Sequence, residues 1–213
     1  MLDRILNAVF PNACGICGRI NENSLCPKCN IKLKELAKAK TRKFKNKNYA
    51  YHAYMFDYQG IIRDKIIDYK FNDKSYLYGT FSESIIKNKK MCRFIKKYDI
   101  IIPVPIHRKR KSERGYNQTE LLCKNIAKRL EIEMASDVLE KIKYNVPQMS
   151  LNKIDRSNNV KGVYVVRNLE RIRNKKVLLV DDIYTTGSTV DECARVLKNV
   201  GTLEISVFTI AKD

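Results

Sequence analysis

From about residue 50 onward, runs of β-forming apolar residues alternate with stretches of helical period. That alternation restricts the chain more than any other feature. AYMFDY (53–58) reads as a strand, and GIIRDKIIDYKF (60–71) and SYLYGTFSESIIKN (75–88) read as helices. DIIIPVP (99–105) is a buried strand stopped by two prolines, and Asn117 to Leu130 is a helix with Leu121, Leu122, Ile126 and Leu130 on one face. VYVV (163–166) and KVLLVDD (176–182) are strands, Ser188 to Val200 is a helix, and EISVFTIA (204–211) is the last strand. Such a chain is expected to form an α/β fold, a parallel sheet with helices on both faces. Ligands in these folds bind at the carboxyl ends of strands, where Pro103–Pro105 and Asp181–Asp182 both fall.

An apolar share of 44% supports a real core, and eight glycines with five prolines argue against linkers. The segment Met1 to Phe10 (MLDRILNAVF) has helical apolar spacing but is too short for a membrane span or a secretory signal. It is expected to be a helix packed on its own domain, in a cytoplasmic protein. Lys and Arg total 42 against 23 acidic residues, a net charge of +19 that favours a phosphate-bearing partner.

The first 45 residues read differently. CGIC (Cys14, Cys17) and CPKC (Cys26, Cys29) give C-x2-C-x8-C-x2-C, two knuckles whose thiolates can converge on one Zn²⁺. A pair of disulfides or free buried thiols are the alternatives, and disulfides are disfavoured without an export signal. Four cysteine ligands leave no open coordination position, so zinc here would be structural. A segment of this size cannot hold itself together by burial alone, and structural zinc contributes apparent energies of about 10–16 kcal/mol in small peptides. Two units are therefore expected, a zinc-binding module over 1–45 and an α/β domain over 46–213. Cys92, Cys123 and Cys193 read as small buried hydrophobes.

The stretch VLLVDDIYTTGST (177–189) carries the most chemistry. A Walker loop fails, because it needs a second glycine and a lysine. A receiver domain carries its acid pair near its start, whereas 31 residues follow Asp182 here. The remaining reading joins two functions. Backbone amides and hydroxyls of Thr185, Thr186, Gly187, Ser188 and Thr189, opening a helix, form a nest for a phosphate monoester. Asp181 and Asp182 can accept hydrogen bonds from a vicinal diol, so a sugar phosphate satisfies both. Upstream, IIPVPIHRKRKSERGYNQ (101–118) breaks a strand at Pro-Val-Pro and follows it with His107, Arg108, Lys109, Arg110 and Arg114, which suits a loop gripping pyrophosphate. Asn117-x-x-Glu120 also resembles a helix capping box.

The strand, acid pair and T-x-G-[ST]-T run resembles the type I phosphoribosyltransferases. PVPIH, RGYNQ and DDIYTTGST behind a four-cysteine segment resemble, over essentially the whole chain, the ComF/ComFC family of competence-associated phosphoribosyltransferase-like proteins. GIIRDKIIDYKF agrees with that resemblance, as do Gln148, Arg156, Asn159 and Gly162; Tyr116 stands where phenylalanine is common. The resemblance implies a type I phosphoribosyltransferase-like sheet that binds 5-phosphoribosyl-1-pyrophosphate (PRPP). The 5′-phosphate would lie in 185–189, the ribose hydroxyls on Asp181 and Asp182, and the pyrophosphate near Pro105, His107, Arg110 and Arg114. Mg²⁺ would accompany PRPP, and Arg156 would close over pyrophosphate from a segment that is usually a mobile loop in this fold. The acceptor is not legible. A rival role is that of a non-catalytic factor that binds single-stranded DNA or competence proteins and uses PRPP only as a sensor.

Overall fold

The computed structural model describes residues 13–144 and 162–213. The expected helix at Met1–Phe10, along with Gln148, Arg156 and Asn159, lies outside them. In chain order the elements are α1 (Pro27–Leu36), β1 (Lys40–Lys43), β2 (Tyr51–Asp57), α2 (Gly60–Phe71), α3 (Leu77–Ile86), α4 (Lys89–Ile95), β3 (Ile100–Pro103), α5 (Arg108–Arg114), α6 (Gln118–Leu130), β4 (Glu133–Met134), β5 (Leu139–Lys141), β6 (Tyr164–Val166), β7 (Lys176–Tyr184), α7 (Ser188–Lys198) and β8 (Glu204–Lys212).

Six strands form one sheet in the order β1-β2-β8-β7-β3-β4, parallel throughout except for β1, which runs antiparallel on the edge. The alternation of each strand sends its residues to two cores. Leu178 and Val180 of β7 and Phe208 and Ile210 of β8 face one core with Leu122, Cys123 and Ile126 of α6 and Phe81 and Ile85 of α3. Val177, Leu179 and Val207 face the other core, against Val190, Cys193, Ala194 and Leu197 of α7. Helices thus cover both faces, as the strand–helix alternation predicts. Among the described residues no helix is long and apolar enough to cross a membrane.

The structure changes three local readings. The 163–166 strand exists but stands apart from the main sheet, pairing antiparallel with β5 in a two-stranded ribbon. The strand carrying the acid pair continues to Tyr184, because Asp181, Ile183 and Tyr184 keep pairing with Thr209, Ala211 and Lys212 of β8. The basic run after Pro105 is helix α5 and not an irregular loop. His107 caps it by accepting the Lys109 N–H on Nδ1, and Gly115 ends it in the left-handed conformation at φ 78°. None of the residues of α5 is buried, so no apolar period announces it.

Cys123 and Cys193 are fully buried, as expected; Cys92 is only half-buried, its thiol 2.8 Å from the Ile86 carbonyl. The cysteine-rich segment shares the main core, with Cys14, Ile16, Leu25, Cys29 and Leu33 buried beside Met55, Leu77 and Phe81. Contact with α3 is close. A Cβ on Gly15 would sit 2.2 Å from Thr80 Oγ1, and that hydroxyl donates to the Ser24 carbonyl at 2.8 Å. β1 carries the same segment onward into the sheet edge.

Candidate functional site

At the carboxyl ends of β3 and β7 a cleft of about 280 Å³ is lined by Pro105, Arg110, Arg114, Gln118, Lys70, Lys141, Asp181, Asp182, Thr185 and Thr189, among others. The prolines stop β3 and the acid pair lies near the end of β7, so both chain breaks open onto one space. Of the predicted site residues, His107 is not among those lining it. Its ring caps α5 and lies 5.1 Å from that of Tyr144. Arg156 falls outside the described residues.

The two aspartates differ. Asp182 is buried, and both its carboxylate oxygens have donors, two on Oδ1 and one on Oδ2. Lys70 Nζ lies 2.8 Å from Oδ1, Gln118 Nε2 donates to Oδ2 at 2.9 Å, and the Ile183 N–H donates to Oδ1 at 2.7 Å. Asp181 accepts the Asp182 N–H at 2.9 Å. Burial, and next the charge of Asp182, push its carboxyl up to about 7, against the opposing pull of Lys70 and Lys141. Asp181 therefore keeps its proton to a higher pH than an ordinary carboxyl.

Beyond the strand, Asp181 and residues 183–190 enclose a small hollow of about 30 Å³. Gly187 is the N-cap of α7, in the left-handed region at φ 77°, where only glycine is unstrained. The Thr186 and Ser188 hydroxyls lie 2.9 Å apart, and the Ser188 N–H donates to Thr186 Oγ1 at 3.3 Å. The turn puts hydroxyls and helix-start amides on one concave surface, an arrangement suited to an anion. Cations stand across the cleft. Arg114 donates to the Gln118 side-chain carbonyl and lies over the Phe71 ring at 5.4 Å; burial, and then Arg110, lower its pKa. Burial and the charge of Arg110 likewise lower that of Lys141.

Lys70, Gln118 and Lys141 belong to this site and were not singled out from sequence. Lys70 lies in the last turn of α2 and Gln118 opens α6. They lie in the stretches GIIRDKIIDYKF and RGYNQ, and nothing local separates Lys70 from the other charged residues of α2, Arg63, Asp64, Lys65 and Asp68.

The four thiols of Cys14, Cys17, Cys26 and Cys29 all lie within 4.8 Å of one another, and no disulfide joins them. Each knuckle closes on its own backbone, Gly18 N–H to the Cys14 carbonyl at 2.8 Å and Asn30 N–H to that of Cys26 at 2.9 Å. Burial opposes ionisation of Cys14, yet hydrogen bonds from backbone groups of Cys26, Cys17 and Ile16 bring it to about 6. Burial and the three neighbouring sulfurs push Cys29 up to about 12. Four sulfurs this close cannot all ionise unaided, and a divalent cation relieves that repulsion. The cluster fits a metal.

A model of the phosphoribosyl transferase domain matches residues 120–213. Competence protein F of Haemophilus influenzae is 30% identical over 68% of this chain and 65% of its own length, so the chain spans just under two thirds of that relative. The DNA utilization protein YhgH of Escherichia coli is 25% identical over 93% of this chain and 89% of its own. Competence protein ComFC of Streptococcus pneumoniae is 27% identical over 76% and 68% respectively. These matches, with the phosphoribosyl transferase domain of this chain and the four-cysteine cluster ahead of it, make the chain a member of the ComF family.

Proposed function

We propose that this chain binds PRPP in the cleft and transfers its phosphoribosyl group, with Mg²⁺, to an acceptor not yet identified. The observation that carries this reading is the convergence of Asp181, Asp182, Arg110, Arg114, Thr185 and Thr189 on one cleft beside the 183–190 hollow. The hollow takes the 5′-phosphate, Asp181 and Asp182 take the ribose hydroxyls, and Arg110 and Arg114 take the pyrophosphate, with Arg156 as a further partner. In its ionised state Asp181 accepts a hydrogen bond from a ribose hydroxyl and places negative charge near the sugar as positive charge develops at C1. Lys70 and Gln118 hold Asp182 in one orientation, so the diol meets a fixed acceptor. Asp181 and Asp182 are the cleft carboxylates beside which Mg²⁺ bound with PRPP would sit, a hard cation for oxygen donors that would supply charge neutralisation to the pyrophosphate.

The metal of the cysteine cluster, on the same reading, is a structural zinc, since four sulfur donors leave no position for substrate. Residues 1–45 then form the zinc-binding unit and 46–213 the phosphoribosyltransferase-like domain. A role in DNA uptake and natural transformation, in the cytoplasm, belongs to the same proposal; two of the relatives are named competence proteins. Calorimetric titration of zinc-loaded protein with PRPP, with and without Mg²⁺, tests the reading. Mg²⁺-dependent saturation supports it, and no heat under either condition sinks it.

One observation favours the second reading, a non-catalytic factor for single-stranded DNA or competence proteins. A cleft of about 730 Å³ is lined by Lys90, Arg93, Lys97 and Lys176. It lies by the starts of β2, β7 and β8, away from the acid pair. Single-strand affinity that falls steeply with salt and disappears on neutralising these four cations supports this role.

A further inference from the structure

The PRPP reading accounts for residues 181–189 but not for what lies beneath them. Tyr184, the last residue of β7, is buried, with its ring directly under the backbone of the turn. A Cβ on Gly187 would meet Tyr184 at 2.3 Å from the hydroxyl, 2.5 Å from Cζ and 2.8 Å from Cε2. The turn therefore rests on this ring with no space between them, and the position of the ring dictates the path of the backbone.

Two groups from β2 and the loop before it fix the ring. Tyr49, itself buried, shares a 2.8 Å hydrogen bond with the Tyr184 hydroxyl. His52 stacks on the Tyr184 ring at 4.0 Å and 19°, and its Nε2 lies 2.9 Å from the Thr209 hydroxyl. The same loop also grips the helix that the turn opens. The Asn48 N–H donates to Asp191 at 2.9 Å, the Asn48 amide at 3.2 Å, and Lys47 lies 3.3 Å from the other Asp191 oxygen. The turn is thus held from below through Tyr184 and from its helical end through Asp191, both times by residues 47–49.

We infer that Tyr184 and Tyr49 are positioning residues for the anion-binding turn, setting its affinity for the 5′-phosphate end of the ligand without touching the pyrophosphate end. The ligand in this inference is the one proposed above. The brace itself is independent of it, since it concerns the shape of the turn.

The test compares wild type, Tyr49→Phe, Tyr184→Phe and the double variant, each titrated with ribose 5-phosphate and separately with inorganic pyrophosphate. Each single change removes one hydroxyl and keeps the ring, so the core stays filled. Loss of one buried hydrogen bond is expected to weaken ribose 5-phosphate about tenfold, leave pyrophosphate unchanged, and speed amide exchange at Ser188 and Asp191. Because both changes break the same bond, the double variant should bind no more weakly than either single one. Additive losses, equal losses for the two ligands, or unchanged ribose 5-phosphate affinity overturn the inference. Should wild type bind no ribose 5-phosphate, titration with PRPP itself decides the PRPP reading, and amide exchange alone decides the brace. Faster exchange in both single variants upholds it, and unchanged exchange overturns it.

Discussion

Lys70 Nζ and Asp182 Oδ1 lie 2.8 Å apart at the floor of the cleft, joining the end of helix α2 to the strand that carries the acid pair. With Gln118 on the other oxygen, this contact makes Asp182 a satisfied buried anion. Replacing Lys70 leaves that anion short of a partner. The lysine is about one-fifth exposed, so the cost falls between those of surface and buried pairs. Lys70→Met should destabilise the fold by about 1–3 kcal/mol, read from urea denaturation. It should also raise the Asp181 titration further, since Lys70 now opposes that rise. An unchanged midpoint would mean that the contact contributes nothing.

Asp181 gives the fold a dependence on pH. Its carboxyl stands at about 7 when folded, against an ordinary value of 3.8. Between those values the unfolded chain has lost the proton that the folded chain keeps, so stability falls as pH rises from about 4 to about 7 and is flat above. Asp181→Asn should remove this slope. At pH 8 it should be more stable than wild type by on the order of 1–3 kcal/mol, since water still reaches the half-buried carboxyl. Melting curves from pH 4 to 8 check this, and a variant less stable than wild type at pH 8 contradicts it.

Gly187 and Gly115 have nearly the same left-handed backbone, at φ 77° and 78°, but only Gly187 has a neighbour in the way. Gly115→Ala should cost about 1 kcal/mol, the conformational penalty alone. Gly187→Ala adds the collision with Tyr184 and should cost a further 1–3 kcal/mol or so. Paired denaturation curves isolate the collision as the difference, and equal costs would show that the ring yields freely.

The cysteine cluster sits against the main core, so a metal held there should support more than its own segment. Stripping the metal with a chelator should lower the melting temperature of the whole chain. Cys26→Ser should lose the metal, which elemental analysis would read as less than one zinc per chain. A full complement in that variant would refute the assignment of Cys26.

Much of this architecture is legible in the residues. GIIRDKIIDYKF was expected as a helix over 60–71 and is one over those bounds, because its buried Ile62, Ile66 and Tyr69 recur at helical spacing. Helix α5 was not visible, having no buried residue to mark a period. The separation of 163–166 from the main sheet was hidden as well, since an apolar tetrapeptide does not say which strand it will pair with. At the site, Asp181 and Asp182 announced themselves by adjacency. Lys70 and Gln118 did not, because the fold and not the local sequence brings them to Asp182. The same is true of Tyr49, which reads as one of several alternating tyrosines until Tyr184 is found against it.

The most direct test of the sugar-phosphate site is calorimetry with PRPP and Mg²⁺ on wild type beside the Asp181→Asn/Asp182→Asn double variant. The account predicts saturable Mg²⁺-dependent binding to wild type and none to the variant, with both proteins folded by circular dichroism. Equal affinity in the two proteins would contradict it.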